Sequence, residues 1–224
     1  MTTASPSRLR PADLGKPRMR GWLHTYAFGV ALVAGAVLSA VAATRPGIAP
    51  LVTCAIYSLT VLGLFGVSAL YHRRVWSPLG FQVMRRLDHS MIFLLIAGTY
   101  TPFSALLLPP ATATTVLAVV WGGALAGVGL QLIWPHAPRW LSAPLYVALG
   151  WVALAVLPEL WRAAGVAPFV LLLAGGLGYT TGALCYALRW PNLWPAVFGH
   201  HEFFHAFTLV AALCHHIAVY LVLF

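Results

Sequence analysis

Charge is what this chain has least of. Asp, Glu, Lys and Arg make up 8% of 224 residues, with only four acidic among them, where a soluble domain is about a quarter charged. That scarcity excludes a solvated globular surface, and a 61% hydrophobic composition with mean hydropathy +0.86 turns the exclusion into a class: an integral membrane protein. Cysteine is scarce too. Cys54, Cys185 and Cys214 all fall in apolar runs and form no C-x-x-C, so neither a disulfide framework nor a redox pair is implied, and they read as small core residues. No repeat and no low-complexity tract stands out. The net charge of +9 would suggest nucleic acid in a soluble protein; around hydrophobic spans it carries topological information instead, and no nucleic-acid partner is expected.

The apolar runs number seven, at about 22–43, 49–72, 88–108, 112–134, 140–159, 165–188 and 200–223. Each is close to the roughly 20 residues that cross a hydrocarbon core. The expected fold is an all-α bundle of seven transmembrane helices over residues 21–224, preceded by a basic arm without a fold over 1–20. The first run resembles a signal peptide around Ala40-Val41-Ala42 but exceeds the usual length of a signal core. Lys and Arg fix the orientation. Eleven of the thirteen basic residues fall on the side of the amino terminus, and only Arg45 and Arg162 on the other. The N-terminus is therefore expected in the cytoplasm and the C-terminus outside, in a multi-pass protein of the cell membrane.

The chain has nine histidines, all but His136 within these runs. His201 and His205, four apart on one helix, stack on one face and can turn two imidazoles to a single metal ion. A tetrahedral zinc needs a third protein ligand. The expected topology brings His72, at the end of the second span, to the same level, together with Asp88 at the start of the third. Three neutral imidazoles leave a zinc site with charge +2, which activates water near neutral pH, and a carboxylate beside it can accept the proton. Asp88 is the candidate, with a helix N-cap or a partner to Arg85 or Arg86 as the plain alternative. Ser68, one turn before His72, either bonds within its helix or supports the metal site. His201-Glu202-Phe203-Phe204-His205 also satisfies H-E-x-x-H, in which the Glu is the base, so Glu202 stands as a second candidate. His24 and His136 read as interfacial residues, His89 and His200 point away from the candidate ligands, and His215 and His216 lie too far along the last helix to share the metal.

Together, Ser68-x-x-x-His72, Leu87-Asp88-His89-Ser90 running into Gly98-Thr99-Tyr100-Thr101-Pro102-Phe103, and Gly199-His200-His201-Glu202-x-Phe204-His205 resemble the hemolysin III branch of the progestin and adipoQ receptor family. Adiponectin receptors are its eukaryotic relatives, and alkaline ceramidases are more distant. The resemblance runs from about residue 20 to the end. It implies a seven-helix bundle with zinc at its cytoplasmic end, His72, His201 and His205 as ligands, and Asp88 and Ser68 beside the metal. Glu202 is not part of that wider pattern, and the long N-terminal domain of the eukaryotic receptors is missing. Three functions follow as expectations: a zinc-dependent hydrolase of ceramide-like lipid amides taken from the bilayer, a pore-forming cytolysin, or a membrane sensor with a structural zinc. The spans show no charged stripe to line an aqueous channel, which counts against the second.

Overall fold

Inside a bilayer every backbone N–H and C=O has to be satisfied by protein, and apolar runs of this length meet that demand as helices. The computed structural model describes residues 15–134 and 139–224, without the side chains of Arg139 and Trp140; His136 and most of the basic arm lie outside the described residues. Its helices are α1 (Trp22–Ala43), α2 (Ala49–Arg73), α3 (Pro78–Leu107), α4 (Pro110–Ile133), α5 (Arg139–Gly150), α6 (Leu157–Ala164), α7 (Val166–Leu188) and α8 (His200–Leu221), with a 3₁₀ stretch over Trp151–Val156 between α5 and α6. Seven helical spans among them are long and apolar enough to cross a membrane. Neighbours in sequence pack as antiparallel pairs, α1 with α2, α2 with α3, α3 with α4 and α7 with α8, and α8 also meets α1 and α3.

Proline and serine set the starts. Pro50, Pro78, Pro110 and Pro158 sit in the first turns of α2, α3, α4 and α6, where a missing N–H costs nothing. The third span begins at Pro78 rather than near residue 88, because Ser77 caps it by accepting from the Gly80 amide at 3.1 Å. Asp88 is therefore not an N-cap. It lies almost three turns inside α3, brought deeper by those extra turns. Its register against α2 is fixed by close packing: a Cβ on Gly98 would stand 2.1 Å from Thr60 Oγ1, so only glycine lets the two helices approach this far. Running antiparallel from that contact, Ser68 and Asp88 arrive in one layer.

The fifth span is the irregular one. Its helix breaks between Gly150 and Leu157 into the 3₁₀ stretch, which frees backbone groups at mid-span. Tyr100 of α3 meets the break: its hydroxyl donates to Gly150 O and accepts from the Ala153 amide, both at 2.6 Å. At the other end of the chain, residues 15–20 are not a free arm. The Arg18 and Met19 amides donate to Ala196 O and Val197 O at 3.0 and 3.1 Å, tying this segment to the loop before α8. Backbone pairing supplies what the side chains of a polar arm cannot.

Tyr100→Phe leaves both backbone groups of the break without their partner. The expected cost is about 1–3 kcal/mol, seen as a lower melting temperature of the purified protein; an unchanged melting temperature would show that the hydroxyl does not support the break.

Candidate metal centre

Histidine at the mouth of a helix bundle is costly unless something engages its ring nitrogens. His72 occupies the last turn of α2, and His201 and His205 the first two turns of α8. The antiparallel bundle brings these ends together at one level. Their metal-binding atoms all lie within 4.8 Å of one another, with His72 Nε2 and His201 Nε2 3.2 Å apart. Two nitrogens on a tetrahedral zinc stand about 3.3 Å apart, given Zn–N bonds of about 2.0–2.1 Å. The His72–His201 edge thus fits zinc as it stands, and His205 has to draw in slightly to complete the set. The approach of α2 depends on Gly21, whose φ of +81° and missing side chain admit His72: a Cβ there would stand 2.7 Å from His72 Cβ.

A cavity of about 190 Å³ begins at this cluster and runs between α3, the fifth span, α7 and α8. His201 and His205 line one end of it together with Ser68, Asp88 and His89, while the remainder is mainly apolar, with leucines, Phe103, Val156 and Phe169 interspersed with polar groups such as Thr99, Gln131, Thr180 and His215. Ser68 is buried and its hydroxyl is a hydrogen-bond partner of the Asp88 carboxylate. His89 uses Nδ1 to donate to Arg85 O at 2.9 Å and stays outside the three-histidine cluster.

Glu202 faces elsewhere. It is 1% exposed; one carboxylate oxygen accepts from Arg20 Nε and the other from the Gly199 amide at 2.8 Å. It therefore closes the first turn of α8 and anchors the segment before α1, and it is not among the residues that line the cavity.

The model of the haemolysin-III-related family matches residues 13–216. This chain belongs to that family. Among its relatives, a Hemolysin-3 homolog of Bacillus subtilis (strain 168) is 32% identical over 162 residues, 71% of each chain. Hemolysin-3 of Bacillus cereus is 32% identical over 154 residues, 69% of this chain and 67% of its own. The heptahelical transmembrane protein ADIPOR2 of Oryza sativa subsp. japonica is 36% identical over 153 residues, 61% of this chain and 66% of its own.

In this haemolysin-III-related chain the sequence reading missed two residues at the site. His24 is not interfacial: it is 2% exposed, lines the cavity and stacks on His205. The signal for it was available, since the charge count that placed His72 and His201 at one level places His24, three residues into α1, there as well. Arg20 was counted only as a charge, whereas it partners Glu202. His215 and His216 lie apart from the cluster as expected. His215 donates from Nε2 to Leu172 O at 3.1 Å, joining α8 to α7, and His216 packs on Tyr57.

Purified protein is expected to carry close to one zinc per chain by elemental analysis. His72→Ala, His201→Ala and His205→Ala each remove one of three ligands and should each lose most of it, whereas His216→Ala should not. Full occupancy in His72→Ala would refute the cluster as the metal site.

Proposed function

We propose that this chain is a zinc-dependent hydrolase of lipid amides of the ceramide type, with its site at the cytoplasmic end of the bundle. The observation that carries the reading is a metal-competent cluster of three histidines at the end of a mainly apolar cavity, which two of them, His201 and His205, line together with Asp88 and Ser68. Such a cavity suits a molecule with a polar linkage at the metal and an acyl chain along the bundle. The mainly apolar lining favours acyl chains over an aqueous ion path, which sets the hydrolase above the lysis suggested by the names of the Bacillus relatives.

Zinc bound by His72, His201 and His205 would supply the Lewis acidity that polarises the amide carbonyl and activates water. The protein's own residues do the rest. Asp88 takes the proton from the attacking water as the C–O bond forms and returns it to the amide nitrogen as the C–N bond breaks, giving a fatty acid and an amine. Ser68 donates to the carboxylate and holds it in one orientation. The apolar wall keeps bulk water from the polar end while the acyl chain lies along it. Glu202, with both oxygens engaged, is assigned to anchoring α8 rather than to proton transfer.

Asp88→Asn is expected to keep most of its zinc and lose about 10²–10⁴-fold in rate, measured as zinc-dependent fatty-acid release from a panel of labelled lipid amides. Glu202→Gln should hydrolyse within a few-fold of wild type but melt at lower temperature. Unchanged hydrolysis by Asp88→Asn, or collapse of hydrolysis in a folded Glu202→Gln, would reverse the assignment. A wild type that cleaves nothing in the panel but loses thermal stability on chelation would make the metal structural.

Orientation has its own test. A reporter fused after Phe224 is expected to work only outside the cytoplasm, following the charge count; cytoplasmic activity would move the metal end to the opposite face.

A further inference from the structure

Metal-bound histidines are ordinarily held in orientation by a hydrogen bond from the ring nitrogen that faces away from the ion. The ring of His205 is surrounded by other rings, those of His24, His72, His201 and Phe204. His24 lies flat against it, with centroids 3.8 Å apart and planes 1° from parallel. Phe65 backs His24 at 5.1 Å and 59°. Both nitrogens of His24 are buried without a hydrogen-bond partner among the described residues. Burying two unpaired polar atoms is unfavourable, and an aliphatic side chain would fill the space without that cost. What an aliphatic side chain lacks is a flat face.

We propose that His24 is a positioning residue of the metal centre: its ring is a planar guide that holds the plane of His205 while leaving it free to slide toward the ion. Parallel stacking resists tilt and tolerates in-plane translation. His205 needs that combination, because its nitrogen has to draw in toward the His72–His201 edge without leaving the plane that contains its lone pair. His24 does not itself join the ligand set. Lone pairs lie in the ring plane, and two parallel rings stacked 3.8 Å apart cannot turn theirs to one point. The inference rests on the metal reading of His72, His201 and His205, but it concerns geometry at one ligand and does not need the hydrolase reading.

The test uses the full-length protein in detergent, stripped of metal and titrated with zinc against a chelator, then with Co²⁺ to record visible absorption, which is intense only in a tetrahedral site. His24→Leu fills the volume without a flat face, and His24→Phe restores the face without nitrogens. His24→Leu should bind zinc about 10–100-fold more weakly and give a weakened, shifted cobalt spectrum, while His24→Phe should stay within about three-fold of wild type with the wild-type spectrum. Melting of the metal-free proteins reports folding separately. Wild-type affinity and spectrum in His24→Leu would overturn the inference, as would a His24→Phe as weak as His24→Leu, which would give the role to a ring nitrogen. A wild type that binds no metal removes the metal reading, and this inference with it; a wild type that binds beside an unchanged His24→Leu removes this inference alone.

Discussion

Three imidazoles whose nitrogens converge within 4.8 Å inside a low-dielectric bundle need something that engages their lone pairs, and a cation does so most directly. The rest of the molecule follows from holding those rings at one level. His72 comes from the end of one helix and His201 and His205 from the start of another, so the two helices must run antiparallel and begin and end in register. Glycines at Gly98 and Gly21 permit the approach. The Arg20–Glu202 pair locks the segment before α1 to the first turn of α8, so a displacement of either helix end would break an ion pair as well as the cluster.

The fifth span shows the complementary arrangement. A regular, tightly packed helix there would close the cavity that starts at the histidines. Instead the helix breaks at Gly150, and Tyr100 satisfies two of the backbone groups of the break, Gly150 O and the Ala153 amide. Trp151 and Leu154 of the break line the cavity. Irregular backbone at membrane depth is tolerated where it lines a cavity.

How much of this was legible in the sequence divides along the range of the interactions. Helical spacing is local, so the pairing of His201 with His205 could be read directly. Span count and the common level of His72 and Asp88 followed from hydropathy and charge, which are sums over many residues and forgive errors of a few positions. Glu202 could not be resolved locally. H-E-x-x-H reads the same whether its glutamate faces the metal or an arginine, and the partner that decides, Arg20, lies 182 residues away. The stacking of His24 on His205 leaves no periodic trace in α1 or α8, although the charge count already put His24 at the level of the cluster. The start of α3 was placed late because Arg85 and Arg86 interrupt the apolar run, although helix does not stop where hydrophobicity does, and the Ser77-Pro78 start signal lay just upstream.

The central claim is that one zinc is held by three histidines with a fourth position left open, and X-ray absorption at the zinc edge of the loaded full-length protein tests it most directly. The account predicts four light scatterers at about 2.0–2.1 Å, three with the multiple-scattering signature of imidazole. A sulfur shell near 2.3 Å, or a site fitted by four imidazoles, would contradict it.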